Sequence, residues 1–166
     1  VGLDPVTINS RFLAFSRLAF RLWPDKPKMI RGALGRPHQF DSHQAAFEFY
    51  RTKRAFLGIA DKELMDYVLA AHAPSENGVD LRYSGAWEAC VYRSPPNLWK
   101  CFDHIHKPIH ILGGEHSYVI VPNVAERLKQ LRNVKFESIC AGHLMPMEKP
   151  QETASFVTEC ISRYET

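Results

Sequence analysis

The sequence predicts an α/β fold in which two strand–helix units close the chain behind a mostly helical block, and three observations carry that reading. Val134 to Ile139 alternates roughly apolar and polar residues as a strand does, after which Phe156, Val157, Cys160, Ile161 and Tyr164 recur at helical spacing. Upstream, Ile109-His110-Ile111-Leu112 runs into Gly113-Gly114, and Val121-Pro122 then opens a helix whose Val124, Leu128 and Leu131 form an apolar stripe. From Thr7 to about Lys107 no such alternation is present, and that stretch reads as helices broken by turns.

Taken in order, Val1-Gly2-Leu3-Asp4-Pro5-Val6 reads as the tail of a buried strand entering a turn, so an upstream segment is expected before it. Phe12, Leu13, Phe15, Leu18, Ala19, Phe20, Leu22 and Trp23 are too crowded for one helical face, which predicts a first helix covered on more than one side. Trp23-Pro24-Asp25-Lys26-Pro27 stops it, and Met29 to Phe40, with Gly32, Gly35 and Pro37, reads as a loop. A second helix starts at Asp41 or Ser42 and runs to about Phe56; a third takes Asp61 as its cap and buries Leu64, Val68 and Ala71. Pro74 to Gly78 is a turn, Val79, Leu81 and Tyr83 form a short extended piece, and Ala86 to Tyr92 is a helix ahead of Ser94-Pro95-Pro96.

The 166 residues, 45% hydrophobic and 23% charged, suffice for one domain with a sizeable core. The net charge of +3 is spread along the chain without a basic run, which excludes a nucleic-acid surface as the first reading. Cys90, Cys101, Cys140 and Cys160 show no CxxC spacing and are expected to be reduced core thiols. No stretch approaches the roughly 20 apolar residues of a membrane span, and no signal-like segment is visible, so the expected compartment is the cytoplasm.

His143, in the loop between the last strand and the last helix, is an exposed histidine at a place where α/β proteins mount chemistry. Loops at the carboxyl ends of parallel strands converge there on one crevice. An imidazole titrates near neutrality and serves as a general base, and Gly142 before it permits a sharp turn or a close backbone approach.

Gly142-His143, followed by Glu148 and Pro150, resembles the C-terminal motif of the α/β-hydrolase superfamily, where a Gly-His pair after the last strand precedes Glu, Pro and the final helix. Lys107-Pro108, four strand residues and Gly114-Glu115 look like that family's penultimate strand, and Val1 to Pro5 resembles the strand after its nucleophile-bearing helix. The resemblance implies the C-terminal part of an α/β-hydrolase fold, its last parallel strands and helices, with a mostly helical cap insertion. The parts would be residues 1–6 as the end of a core strand, 7–106 as the cap or lid, and 107–166 as the core. Aromatic residues of the cap would line a cavity for a small hydrophobic, ester-like substrate, with no cofactor.

Such a hydrolase needs a nucleophile, a base and an acid that orients the base. His143 is the base. The family's usual acid position, three residues after Gly114, holds Ser117, which cannot offset imidazolium charge. The candidates are then Asp4, at the strand end where some members of the family carry the acid, and Glu115; Asp4 is preferred. No Gly-x-Ser-x-Gly elbow occurs within the 166 residues, and Ser10, Ser117 and Ser138 lack its context, so the nucleophile is expected upstream and the chain alone is expected to be inactive.

Two other classes of function stay open at this point. Asp103-His104-Ile105-His106, with His110 and His116 nearby, offers imidazoles for a metal, although Lys107-Pro108 follows directly. Ser117 in the acid's place also fits a non-catalytic binding module on the same fold. A half-sheet ending at Val1 would expose a strand edge, so the chain is expected to pair with the missing part of the fold or with itself.

Overall fold

The structure is a computed structural model that describes residues 1–8 and 10–164, apart from the side chains of Ser10, Arg11 and Asp103. In chain order the elements are β1 (Gly2–Leu3), α1 (Ser10–Leu22), α2 (Lys28–Leu34), β2 (Gln39–Phe40), α3 (His43–Arg51) and α4 (Asp61–Ala71). The hairpin strands β3 (His72–Ser75) and β4 (Gly78–Leu81) follow, then α5 (Gly85–Arg93) and α6 (Leu98–His104). The chain closes with β5 (Ile109–Gly114), α7 (Pro122–Lys129), β6 (Val134–Ile139), α8 (Met145–Glu148) and α9 (Pro150–Ser162). These form two compact units, Val1–Ser10 with Asn97–Thr166, and Arg11–Pro96.

The first unit is a parallel sheet in the order β1-β5-β6, with Gly2 opposite Ile111 and Ile111 opposite Phe136. β5 is buried almost throughout because helices cover both of its faces, as a near-continuous apolar run in a parallel sheet requires. Ile109 and Ile111 turn to one side, packing with Trp99 and Phe102 of α6, Ile120, and Val124 and Leu128 of α7. Leu112 turns to the other, with Leu3, Ala141, Met145 and Phe156. Two-residue periodicity thus sorts one strand between two cores. β6 is an edge strand bearing the exposed Lys135–Glu137 ion pair, which disfavours further pairing there. The helix expected after Val121-Pro122 and both strands lie where the sequence placed them.

The second unit departs from its sequence reading in several places. Met29 to Phe40 was expected to be a loop, yet Lys28–Leu34 is α2, started by Pro27 just outside its first turn and ended at Gly35. Gly32 faces open space within that helix and breaks nothing. The second predicted helix stops at Arg51 rather than Phe56. Thr52 Oγ1 donates to the Phe49 carbonyl, and the Arg51 guanidinium donates to the carbonyls of Phe56 and Ile59, holding a tight turn at Arg54–Phe56. Ser42 caps α3 by accepting from the Ala45 amide.

Pro74 to Gly78 is part of the β3–β4 hairpin, and β2 adds to β4, giving a small antiparallel sheet in the order β2-β4-β3. Pro74 lies on an edge strand, where its missing N–H costs little. On α1, Leu13 and Ser16 are buried while Phe12, Phe15, Leu18 and Leu22 are exposed, so the expected cover on several sides is not found among the described residues. The cysteine expectation holds for Cys160; Cys90, Cys101 and Cys140 are exposed, and all four are free.

The aromatic residues of this unit mostly pack on one another. Tyr50 is ringed by Phe40, Phe49, Phe56, Tyr67 and His72 at centroid distances of 5.3 to 6.1 Å. These rings form the unit's own core and are not free to line a cavity. Burial pushes the Tyr50 phenol up to about 12 and holds His72 below the usual histidine range. His72 Nδ1 donates to the Val68 carbonyl at 2.9 Å, whereas its Nε2 is buried with no hydrogen-bond partner among the described residues.

A depressed pKa in the folded state means that the unfolded chain binds the extra proton first. The contribution of His72 is therefore present above about pH 6.5 and is lost as pH falls through its folded value. Thermal unfolding between pH 7.5 and 5 should show this slope, and His72→Asn should flatten it; an unchanged slope would assign the effect to other groups.

Candidate active site

The site lies within the first unit and is built at the carboxyl ends of its three parallel strands. β1 ends at Asp4, whose backbone N–H donates to the Leu112 carbonyl at 2.7 Å and whose φ of 43° turns the chain sharply away from the sheet. Aspartate is among the few side chains that accept this left-handed conformation at modest cost. The turn buries the carboxylate at 1% exposure against the end of β5.

Three donors meet that carboxylate. The Gly114 amide donates to Oδ1 at 3.2 Å, while the Ser117 hydroxyl at 2.5 Å and His143 Nδ1 at 2.7 Å both reach Oδ2. A carboxylate only accepts, so the proton of the neutral imidazole sits on Nδ1 and Nε2 carries the lone pair. Nε2 makes no hydrogen bond among the described residues, and the ring is 28% exposed, so the histidine expected to be exposed is half-buried instead. The tether to Asp4 draws the ring inward. An imidazole held in one tautomer by a buried carboxylate is chemically able to accept a proton at its other nitrogen.

The His143 loop is fixed from its far side by Glu148, which accepts from the Gly142 amide at 2.6 Å and the Leu144 amide at 3.2 Å. A Cβ at Gly142 would stand 2.8 Å from Glu148 Oε1, and one at Gly114 would stand 2.5 Å from the carbonyl oxygens of Ala141 and Gly142. Gly114 is thus required for the backbone to close around this loop, whereas a side chain at position 142 would have to displace the Glu148 carboxylate. The Thr153 hydroxyl of α9 lies 2.8 Å from the Lys149 carbonyl and 3.1 Å from the Met145 carbonyl, sharing its one proton between them and tying the short α8 to the final helix.

The structure brings Asp4 and His143 together and leaves Glu115 outside the pair: its side chain is exposed, and its amide serves β6 by donating to the Ile139 carbonyl. Ser117, which the sequence places in the family's usual acid position, donates to the Asp4 carboxylate. Ser138 is exposed on β6, and the side chain of Ser10 lies outside the described residues. Tyr118, which the sequence did not single out, places its ring 5.5 Å from that of His143. Of the metal candidates, the side chain of Asp103 lies outside the described residues, His104 Nδ1 meets the carbonyl of Lys100 one turn back, and His110 Nε2 meets the Tyr164 hydroxyl. Among the described residues no group of three or more His, Cys, Asp or Glu is placed to hold a metal ion.

No family model and no curated protein matches the sequence. Solved structures do match the fold. E-2-(acetamidomethylene)succinate hydrolase superposes with a TM-score of 0.63 at 19% identity, over 95% of this chain and 66% of that one. An esterase from Mycobacterium tuberculosis gives 0.61 at 17% identity, over 95% and 52%. A peroxisomal α/β-hydrolase of Saccharomyces cerevisiae gives 0.62 at 16% identity, over 97% and 42%. The chain therefore spans between two fifths and two thirds of the length of these structures. Nearly all of it superposes on them, and the fold of this chain is that of the α/β-hydrolases.

Proposed function

We propose that this chain supplies the base and the acid of a hydrolase that cleaves a hydrophobic, ester-like substrate, with His143 as base and Asp4 as acid. The observation that carries the reading is the 2.7 Å contact from His143 Nδ1 to a carboxylate 1% exposed, with Nε2 left to act. The nucleophile is a serine on a strand-to-helix elbow that belongs to a part of the fold outside these 166 residues. It attacks the ester carbonyl as His143 Nε2 takes its proton, and Asp4 stabilises the imidazolium. Nε2 then hands the proton to the leaving alcohol. Water, deprotonated by the same atom, attacks the acyl-enzyme, releasing the carboxylic acid and restoring the nucleophile.

In this reading residues 7–106 are the cap, inserted in the sequence between β1 and the later strands, and its content of apolar and aromatic residues favours a hydrophobic substrate over a sugar or phosphate. The missing strands add beside β1, whose outer edge has no strand partner among the described residues. Four free thiols support a reducing, cytoplasmic location. No described helix is long and apolar enough to cross a membrane.

The test is a panel of p-nitrophenyl esters from acetate to laurate, presented to the natural full-length protein. Turnover that rises with acyl length supports the reading. Absence of turnover across the panel would remove esterase activity and leave a binding module on this fold.

A further inference from the structure

The residue in the family's usual acid position is fully committed to the pair at Asp4. Ser117 Oγ lies 2.5 Å from Asp4 Oδ2, 2.9 Å from the Val119 amide and 3.4 Å from the Ile120 amide. Backbone amides only donate, so the hydroxyl oxygen accepts from both, and its single proton has one acceptor left, the carboxylate. The direction of that hydrogen bond follows from the inventory of donors. The amide of Ser117 also donates to the Gly114 carbonyl, which closes a tight turn. Tyr118, held between these anchors, is the residue whose ring lies beside His143.

We propose that Ser117 is a positioning residue of the Asp4–His143 pair, donating a proton to the same carboxylate oxygen that holds the imidazole and so setting how strongly Asp4 draws charge onto His143. Its part in turnover rests on the hydrolase reading above; its effect on His143 does not. Two donors sharing Oδ2 divide the negative charge there, and removal of one leaves more of it for the other. The imidazolium then becomes easier to form, and the carboxylate loses one of the three donors that fix its rotamer. The other ionisable groups on the surrounding loops are Glu148, Tyr118, Glu115 and the His116–Cys140 pair, joined at 3.5 Å, and the same groups are present in every variant compared at position 117.

The experiment is an NMR titration of the His143 ring in the natural full-length protein, compared with Ser117→Ala, Ser117→Thr and Ser117→Val. Ala and Val should raise the His143 midpoint, and Thr, which keeps the hydroxyl, should restore it. Thr and Val share a shape, so that pair carries the test if the alanine variant fails to fold. In the natural full-length protein the same Ala or Val change should lower kcat about tenfold with KM little altered, and should move the acid limb of kcat/KM upward. A midpoint that is the same in Thr and Val would overturn the proposal, since a purely structural serine affects stability without moving the ring's titration. A shifted midpoint in a protein that cleaves no ester would uphold Ser117 as a positioning residue and set aside the hydrolase reading alone.

Discussion

Replacing His143 by alanine in the natural full-length protein is expected to cut ester turnover by about three to six powers of ten. Asp4 holds the hydrogen of the imidazole on Nδ1, which leaves Nε2 free among the described residues to accept a proton. Removing the imidazole leaves the carboxylate still bound by the Gly114 amide and the Ser117 hydroxyl, so the buried charge keeps partners and the fold should hold. Circular dichroism and the unfolding midpoint check the second half of this expectation. A variant that keeps more than about a tenth of the wild-type rate would take His143 out of the mechanism.

Asp4→Asn is expected to cost about two to four powers of ten in kcat while preserving the fold. Asparagine tolerates the left-handed backbone at this position as well as aspartate does. It differs in offering one acceptor oxygen and one NH2 group. If the oxygen faces the Gly114 amide, the NH2 group faces Ser117 and His143, and the imidazole must present a lone pair from Nδ1. The ring proton then moves to Nε2, the atom that has to accept one. The loss is thus a change of tautomer as well as of charge, and kinetic assay of the folded variant measures it. An unaltered rate would move the acid elsewhere, with Glu115 the next carboxylate on the neighbouring loop.

How much of this was legible in the sequence depended on the range of the interactions concerned. β5, β6, α7 and α9 are determined by local periodicity and by prolines at helix starts, and they appear where the pattern placed them. The Asp4–His143 contact joins residues 139 apart, and no local pattern reports it; the order of the motifs made it a candidate and the parallel pairing of β1 with β5 brings it about. The second unit was read less well for the same reason. β2 is two residues long and exists through its pairing with β4, and α2 carries a glycine that resembles a breaker in sequence yet faces open space in the fold. Ser117 shows the difference most directly: as a residue type it removes a negative charge from the usual place, while in three dimensions its hydroxyl reaches the carboxylate that took over.

Activation by His143 of a nucleophile located outside these 166 residues is the central proposal, and a fluorophosphonate probe reads it directly. The natural full-length protein should be labelled on one serine that precedes Val1, mapped by mass spectrometry, and His143→Ala should abolish the labelling while the protein stays folded. Labelling that persists unchanged in His143→Ala, or no labelling of the wild-type protein, would contradict it.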